Sequence, residues 1–152
     1  MAIEEREKTW SKLRDQAVKA LESGRYELSA VALELEQITN AIAQLVEMKS
    51  DYRPEYSELL DQAPVSVDKL RRTWTFVSSL EVAIRKTNQQ KLMIKKKERS
   101  IREACMDLER EVKKYEALES RAGQKRLKAE GMKERKEADE IASAFWLRQK
   151  TE

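Results

Sequence analysis

The sequence has no histidine and contains only one cysteine, three glycines and two prolines among 152 residues. Without histidine, the commonest general base and the commonest metal ligand are both missing. One cysteine can form neither an intramolecular disulfide nor a structural zinc site. No glycine-rich phosphate-binding motif occurs. These absences argue against an enzyme, and we expect no cofactor and no metal.

Long apolar runs are also missing. No stretch of about 18 apolar residues exists, so no membrane span is predicted. The N-terminus lacks the apolar stretch of a signal peptide, and we therefore expect a cytoplasmic protein. Charged residues make up 39% and apolar residues 40% of the chain. With so few helix-breaking residues, this composition is typical of long helices.

Apolar and small residues recur every three or four positions in two segments, which indicates two helices with one apolar face each. The repeat covers residues 10–59 and residues 70–115, and its positions include Ala17, Leu21, Val31, Thr73, Val77, Leu80, Ile94 and Cys105. We call these two faces the seam, and Cys105, which lies on it, is expected to be a buried structural thiol. The sequence therefore predicts an all-α protein, a long antiparallel two-helix coiled coil (helical hairpin) that forms a single domain over residues 1–152.

The break between the two segments lies at residues 61–66, where a proline cannot continue the helix and Ser66 is a suitable N-cap. We predict helix one over about residues 5–60 and helix two over about residues 67–145. Pro54 disfavours the helical conformation of the residue before it and is expected to end or kink helix one.

The unequal lengths of the two helices predict a C-terminal overhang. With the turn at the break, residue 5 lies opposite about residue 123, and the chain beyond has no partner within the molecule. Residues 121–136 contain seven Lys and Arg against two Glu. We expect a basic overhang whose Phe145 and Trp146 anchor on another molecule.

The two halves of the chain differ in charge. Residues 1–60 carry eight Lys and Arg against twelve Asp and Glu, and because the net charge is +3, the remainder carries +7. Opposite charges on paired helices favour their association in a defined orientation, and a polyanion-binding surface is the alternative. The basic cluster between Lys91 and Arg99 lies beside seam positions, so we interpret it as a solvated face and expect no specific nucleic acid. Weak, salt-sensitive binding of this cluster to polyanions or acidic lipid is the alternative.

One apolar strip lies beside the seam of helix two, near the turn. Leu80 is itself a seam position, and Phe76 lies on the flank of the seam. Phe76, Leu80 and Ala83 are spaced i, i+4, i+7, with Trp74 nearby. Either a wide seam absorbs Phe76, or the strip is an exposed patch, which generally marks a binding site. An exposed strip of this kind suits recognition of a helix by a groove.

Three pieces of the sequence, taken in order, resemble the FliJ family of flagellar protein export, which is related to the YscO-type proteins of injectisomes. The resemblance covers about residues 46–122. Its pieces are Asp51-Tyr52-Arg53-Pro54-Glu55-Tyr56, then Trp74-x-Phe76-x-x-x-Leu80-Glu81-x-Ala83-Ile84, and last Lys114-Tyr115-Glu116-Ala117-Leu118-Glu119-Ser120-Arg121.

This resemblance implies an antiparallel coiled coil similar to the central stalk subunit of rotary ATPases. The implied partners are the hexameric export ATPase (FliI-like), the export gate protein (FlhA-like) and export chaperones. The protein would promote assembly of the ATPase ring and couple it to the gate, and it would hydrolyse nothing itself. Through these partners it would lie at the cytoplasmic face of the inner membrane.

The resemblance also implies two groups of protein-binding residues. The positions that match the gate contact of the family are Phe76, Leu80, Ala83 and Thr87, of which Thr87 replaces a histidine-like family residue. The helical ends that the ATPase ring would hold carry Trp10, Leu13, Phe145 and Trp146. The alternatives are a YscO-type injectisome stalk, a generic coiled-coil scaffold or dimerisation protein, and a polyanion binder.

Overall fold

A computed structural model describes residues 2–61 and 66–151, without the side chain of Tyr56. Helix α1 spans Ala2–Asp61 and helix α2 spans Val67–Lys150. The described residues contain no β-strand, and the two helices pack against each other, which confirms the predicted all-α class and is consistent with a helical hairpin.

The ends of the helices carry the charges that helix dipoles favour. Glu4 and Glu5 lie in the first turn of α1, and Asp68 lies in the first turn of α2. The carbonyl of Ser66 accepts a hydrogen bond from the backbone N–H of Leu70 at 3.0 Å. This is the first bond of α2, so Ser66 occupies the N-cap position. The other residues of the predicted turn, 62–65, lie outside the described part of the chain.

One helix end differs from the sequence prediction, and Pro54 does not end a helix. Helix α1 continues through Pro54 to Asp61, which agrees with the predicted bounds of about residues 5–60, so of the two effects expected of Pro54 the helix end is not observed. Proline removes one hydrogen bond, but Tyr52 and Leu59 on either side are half-buried, and such packing overrides local propensity. Helix α2 runs to Lys150 rather than ending near residue 145.

The chain divides into two compact units. Unit 1 comprises the described residues of Met1–Ser23 and Cys105–Glu152, and unit 2 comprises those of Gly24–Ala104. Both units pair a segment of α1 with a segment of α2 in opposite sequence order. The pairs in unit 1 are Glu7 with Arg126 and Arg14 with Glu119, and the pairs in unit 2 are Lys49 with Glu81 and Tyr52 with Phe76.

Each unit has a thin core of small and medium-sized side chains. The buried apolar residues are Ala17, Leu21, Cys105 and Ala122 in unit 1, and Val31 and Leu80 in unit 2. All of them except Ala122 belong to the predicted seam. The burial of Cys105 confirms the expected structural thiol. Ala122 was missed because the large apolar residues of the repeat end at Tyr115.

Because the core is thin, loss of one buried leucine should be costly. We expect Leu21→Ala to lower the free energy of unfolding by about 2–4 kcal/mol, through lost burial and a residual cavity. The measurement is urea denaturation followed by circular dichroism. The matched control is Leu33→Ala, where the leucine is exposed on α1 and the change should stay within about 0.5 kcal/mol. Equal effects of the two variants would contradict the assigned core.

Candidate protein-binding sites

Phe76 in unit 2 is only partly covered. Its ring lies 4.7 Å from that of Tyr52, centroid to centroid, with the planes tilted by 51°. The side chain is still 38% exposed. Neither alternative from the sequence therefore holds alone, because Tyr52 of α1 covers one side of Phe76 and solvent reaches the rest.

The other members of the predicted strip are less accessible than Phe76. Leu80 is 6% exposed and belongs to the core of unit 2. Ala83 and Thr87 are half-buried, and the Thr87 hydroxyl donates a hydrogen bond to the Ala83 carbonyl at 2.7 Å. Leu80 therefore packs in the core beneath the strip. Phe76 is the large side chain of the strip that solvent reaches. The gate contact at these positions stays a prediction.

Trp74 is more exposed than Phe76, at 61%. It lies on a concavity of about 290 Å³ formed by both helices of unit 2. The residues around this concavity are Tyr52, Arg53, Trp74, Val77, Ser78 and Glu81. At its edge, Lys49 Nζ lies 3.2 Å from Glu81 Oε1. The sequence predicted Trp74 only as a neighbour of the strip. Trp74 follows seam position Thr73 by one residue, and this places its side chain about 100° around the helix from Thr73, on the flank of the seam.

Trp10 and Leu13 in unit 1 are half-buried and take part in helix packing. The rings of Trp10 and Tyr115 are stacked, with centroids 6.3 Å apart and planes 22° apart. An aromatic pair at this distance adds to the energy of burial. Trp10 therefore has an intramolecular partner, and its proposed contact with an ATPase ring stays a prediction.

Two arginines of unit 1 join the helices near the Trp10–Tyr115 stack. Arg14 forms ion pairs with Asp15 and with Glu119 of α2. Its hydrogen bond to Asp15, together with the charge of Glu119, raises the pKa of Arg14. Arg126 of α2 donates from Nε to Glu7 Oε2 at 2.8 Å. Both guanidinium groups therefore stay charged at every physiological pH.

The pKa of Arg126 is also raised, mainly by its hydrogen bond to Glu7 and to a lesser extent by its hydrogen bond to Glu130. Glu7 also approaches the backbone at Gly123, where an added Cβ would lie 3.3 Å from Oε1. The Glu7 side chain therefore contacts α2 close to residue 123, where the overhang was predicted to begin.

The C-terminal part of α2 has no packing partner among the residues that the structure describes. From Met132 to Thr151 every residue is exposed. Phe145 and Trp146 are exposed large side chains, and Lys150 Nζ lies 3.9 Å from the centroid of the Trp146 ring. Because α-helices rise 1.5 Å per residue, Phe145 lies about 45 Å along α2 from Tyr115 and its partner Trp10. The four residues predicted for the ATPase ring do not form one site.

The described part of the chain carries exposed aromatic side chains in both units. It contains no group of His, Cys, Asp and Glu that could hold a metal ion. None of the helix residues described forms a segment long and apolar enough to cross a membrane. What the surface does offer is exposed aromatic residues, Trp74 and Phe76 in unit 2, and Phe145 and Trp146 in unit 1.

These features define a two-helix, all-α protein with exposed aromatic residues on its surface. The family model of the flagellar FliJ protein matches residues 7–151. The chain therefore belongs to the FliJ family, and it is a component of the flagellar export apparatus. The match extends well beyond the residues that carried the resemblance. The chain matches no curated protein and no solved structure.

The Trp10–Tyr115 stack can be tested by a double-mutant cycle. We expect Trp10→Leu and Tyr115→Leu to show a coupling energy of about 0.5–1.5 kcal/mol, because each change removes the same ring contact. Urea denaturation of the two single variants and the double variant gives this quantity. As a control, Trp146→Leu combined with Tyr115→Leu should show no coupling. Independent effects of Trp10 and Tyr115 would refute the contact.

Proposed function

We propose that this protein is a central-stalk-like subunit of the flagellar export apparatus. It binds the hexameric export ATPase, promotes assembly of the ATPase ring and couples the ring to the export gate. It works in the cytoplasm, at the cytoplasmic face of the inner membrane, with an antiparallel coiled coil as its scaffold. The observation that carries this proposal is the C-terminal end of α2, which is exposed from Met132 to Thr151.

The coiled coil is supported by two independent features. The apolar repeat steps by three and four residues through both helices, which is the sequence pattern of a coiled-coil seam. In each unit, later residues of α1 meet earlier residues of α2, as antiparallel helices require. A scaffold of this kind needs no further core and leaves its helix ends available to partners.

The end of α2 supports contact with an enclosing partner. Ile141, Phe145, Trp146 and Leu147 are all exposed. Ile141 and Phe145 are four residues apart and share one face, whereas Trp146 and Leu147 point in other directions. A helix that is apolar on several faces is stable only where it is covered from several sides. The opening of a protein ring provides such cover, whereas a single flat surface does not.

The Phe76 strip supports a second contact, which we assign to the export gate. Phe76 is partly exposed above Tyr52, and Trp74 lies beside it on the concavity of unit 2. Aromatic side chains next to a concavity are frequent centres of binding energy in protein interfaces. The handling of export chaperones, which we include in the proposal, rests on family membership alone.

The first test removes the aromatic side chains at the end of α2. We expect Phe145→Ala with Trp146→Ala to weaken binding to a purified export ATPase on the order of 30-fold or more, since truncation of a single aromatic anchor often costs about 2 kcal/mol and the effects of adjacent anchors do not simply add. Stimulation of ATP hydrolysis should fall in parallel. Both are measured by titrating the ATPase with the variant.

The matched control is Tyr26→Ala, which removes an exposed aromatic residue from α1. It should leave stimulation unchanged. An unmodified protein that neither binds nor stimulates the ATPase would refute the proposed function. A stable dimer of this chain in sedimentation, together with no ATPase contact, would indicate a generic scaffold instead.

The second test concerns the gate contact. We expect Phe76→Ala to weaken binding to the cytoplasmic domain of the gate protein about tenfold, through loss of one buried aromatic contact. Circular dichroism should show unchanged helicity, because Phe76 is not part of the core. Thr75→Ala, an exposed neighbour, is the control. Loss of helicity in Phe76→Ala would show that Phe76 is structural, and unchanged binding would place the gate contact elsewhere.

A further inference from the structure

One segment of α2 carries charge of a single sign. Residues 82–97 contain six Lys and Arg and no Asp or Glu, although the whole chain has 31 basic and 28 acidic residues. The six are Arg85, Lys86, Lys91, Lys95, Lys96 and Lys97. All of them except the half-buried Lys91 are exposed. The segment is therefore a concentrated positive patch on a nearly balanced protein.

No ion pair within the described chain involves the cations of this patch. None of its six cations has a carboxylate within ion-pairing distance among the residues described. The next acidic residue of α2 is Glu98, which is half-buried and bound to Arg102 at 2.7 Å. Positive charge that has no internal partner is available to an external anion.

Large apolar side chains lie among these cations. Leu92 is 59% exposed and Met93 is 71% exposed. Leu92 precedes seam position Ile94 by two residues, so it lies about 200° around the helix and points away from α1. Arg85 and Arg99 are seven residues before and after Leu92 and share its face. The outer face of α2 is therefore both basic and apolar.

We propose that this outer face, residues 82–99 of α2, binds directly to an anionic lipid bilayer. The inference goes beyond the proposed stalk function and does not depend on it. A bilayer uses both features at once, because its headgroups attract lysine and arginine while its acyl boundary accepts side chains such as Leu92 and Met93. The helix lies on the surface, since no described segment is apolar enough to span a membrane.

Other occupants fit the patch less well. A nucleic acid would use the positive charges through its phosphates, but it offers no general site for Leu92 and Met93. A helix that enters a protein groove presents apolar anchors at i, i+3, i+4 and i+7. Here the two large apolar side chains are adjacent, and cations occupy the neighbouring turns. A flat anionic surface needs no such spacing.

The test is co-sedimentation of the full chain with large unilamellar vesicles. We expect binding to vesicles of equimolar phosphatidylcholine and phosphatidylglycerol, and no binding to phosphatidylcholine alone. Lys95→Gln, Lys96→Gln and Lys97→Gln together should lower the partition coefficient on the order of 100-fold, because each cation contributes about fivefold near an anionic surface. Raised salt should weaken binding of the unmodified protein.

A control variant changes the same number of charges elsewhere. Lys125→Gln, Lys128→Gln and Lys133→Gln remove three exposed lysines from the C-terminal part of α2. This variant should lose much less affinity, well under tenfold. An equal loss in the two triple variants would overturn the assignment to residues 82–99, because binding would then follow net charge alone.

The apolar contribution separates a bilayer from other polyanions. Leu92→Ser with Met93→Ser should lower the partition coefficient about tenfold or more, because two apolar side chains leave the acyl boundary. Tyr26→Ser with Leu33→Ser is the control, since both side chains are exposed on the acidic helix α1, and it should have no effect. Circular dichroism checks that all variants remain helical.

Three results would overturn the proposal. The first is no binding to phosphatidylglycerol vesicles. The second is unchanged vesicle binding by the Leu92→Ser, Met93→Ser variant, which would indicate a plain polyanion surface. The third is that the unmodified protein binds a DNA duplex or poly-glutamate as tightly as it binds the vesicles.

Discussion

The burial of a few small apolar side chains between two helices is the constraint on which the rest of this structure depends. Two helices enclose little interior, so each unit buries only a few residues, such as Val31 and Leu80 in unit 2. The stability of the fold therefore comes from a narrow seam. Among the described residues, every side chain outside these two cores is at least partly in solvent.

Ion pairs between the helices favour one relative orientation of α1 and α2. In unit 1, Arg14 of α1 pairs with Glu119 of α2, and Arg126 of α2 pairs with Glu7 of α1. Each helix therefore contributes one cation and one anion to these ion pairs. Ion pairs at such exposed sites contribute little stability individually. Their value lies in excluding other registers, in which like charges would meet. The basic patch from Arg85 to Lys97 takes part in none of these pairs.

The seam stops before the last part of α2. Up to Arg126, α2 has contacts with α1, and from Met132 to Thr151 every residue is exposed. Exposed aromatic residues therefore lie both on this end of α2 and beside the seam of unit 2. Phe76 lies between the two environments, because Tyr52 covers one side of its ring and solvent reaches the other.

The sequence by itself determined the helical class, the two helices, most of their limits and the burial of Cys105, because a three–four apolar repeat is a local property of each helix. Only the tertiary structure decided that Ala122 is buried and that Phe76, which the sequence left as either buried or exposed, is partly exposed. Exposure beside a seam depends on which side chain of the opposite helix lies across from it. Tyr52 lies far from Phe76 in sequence, and no local pattern specifies that contact.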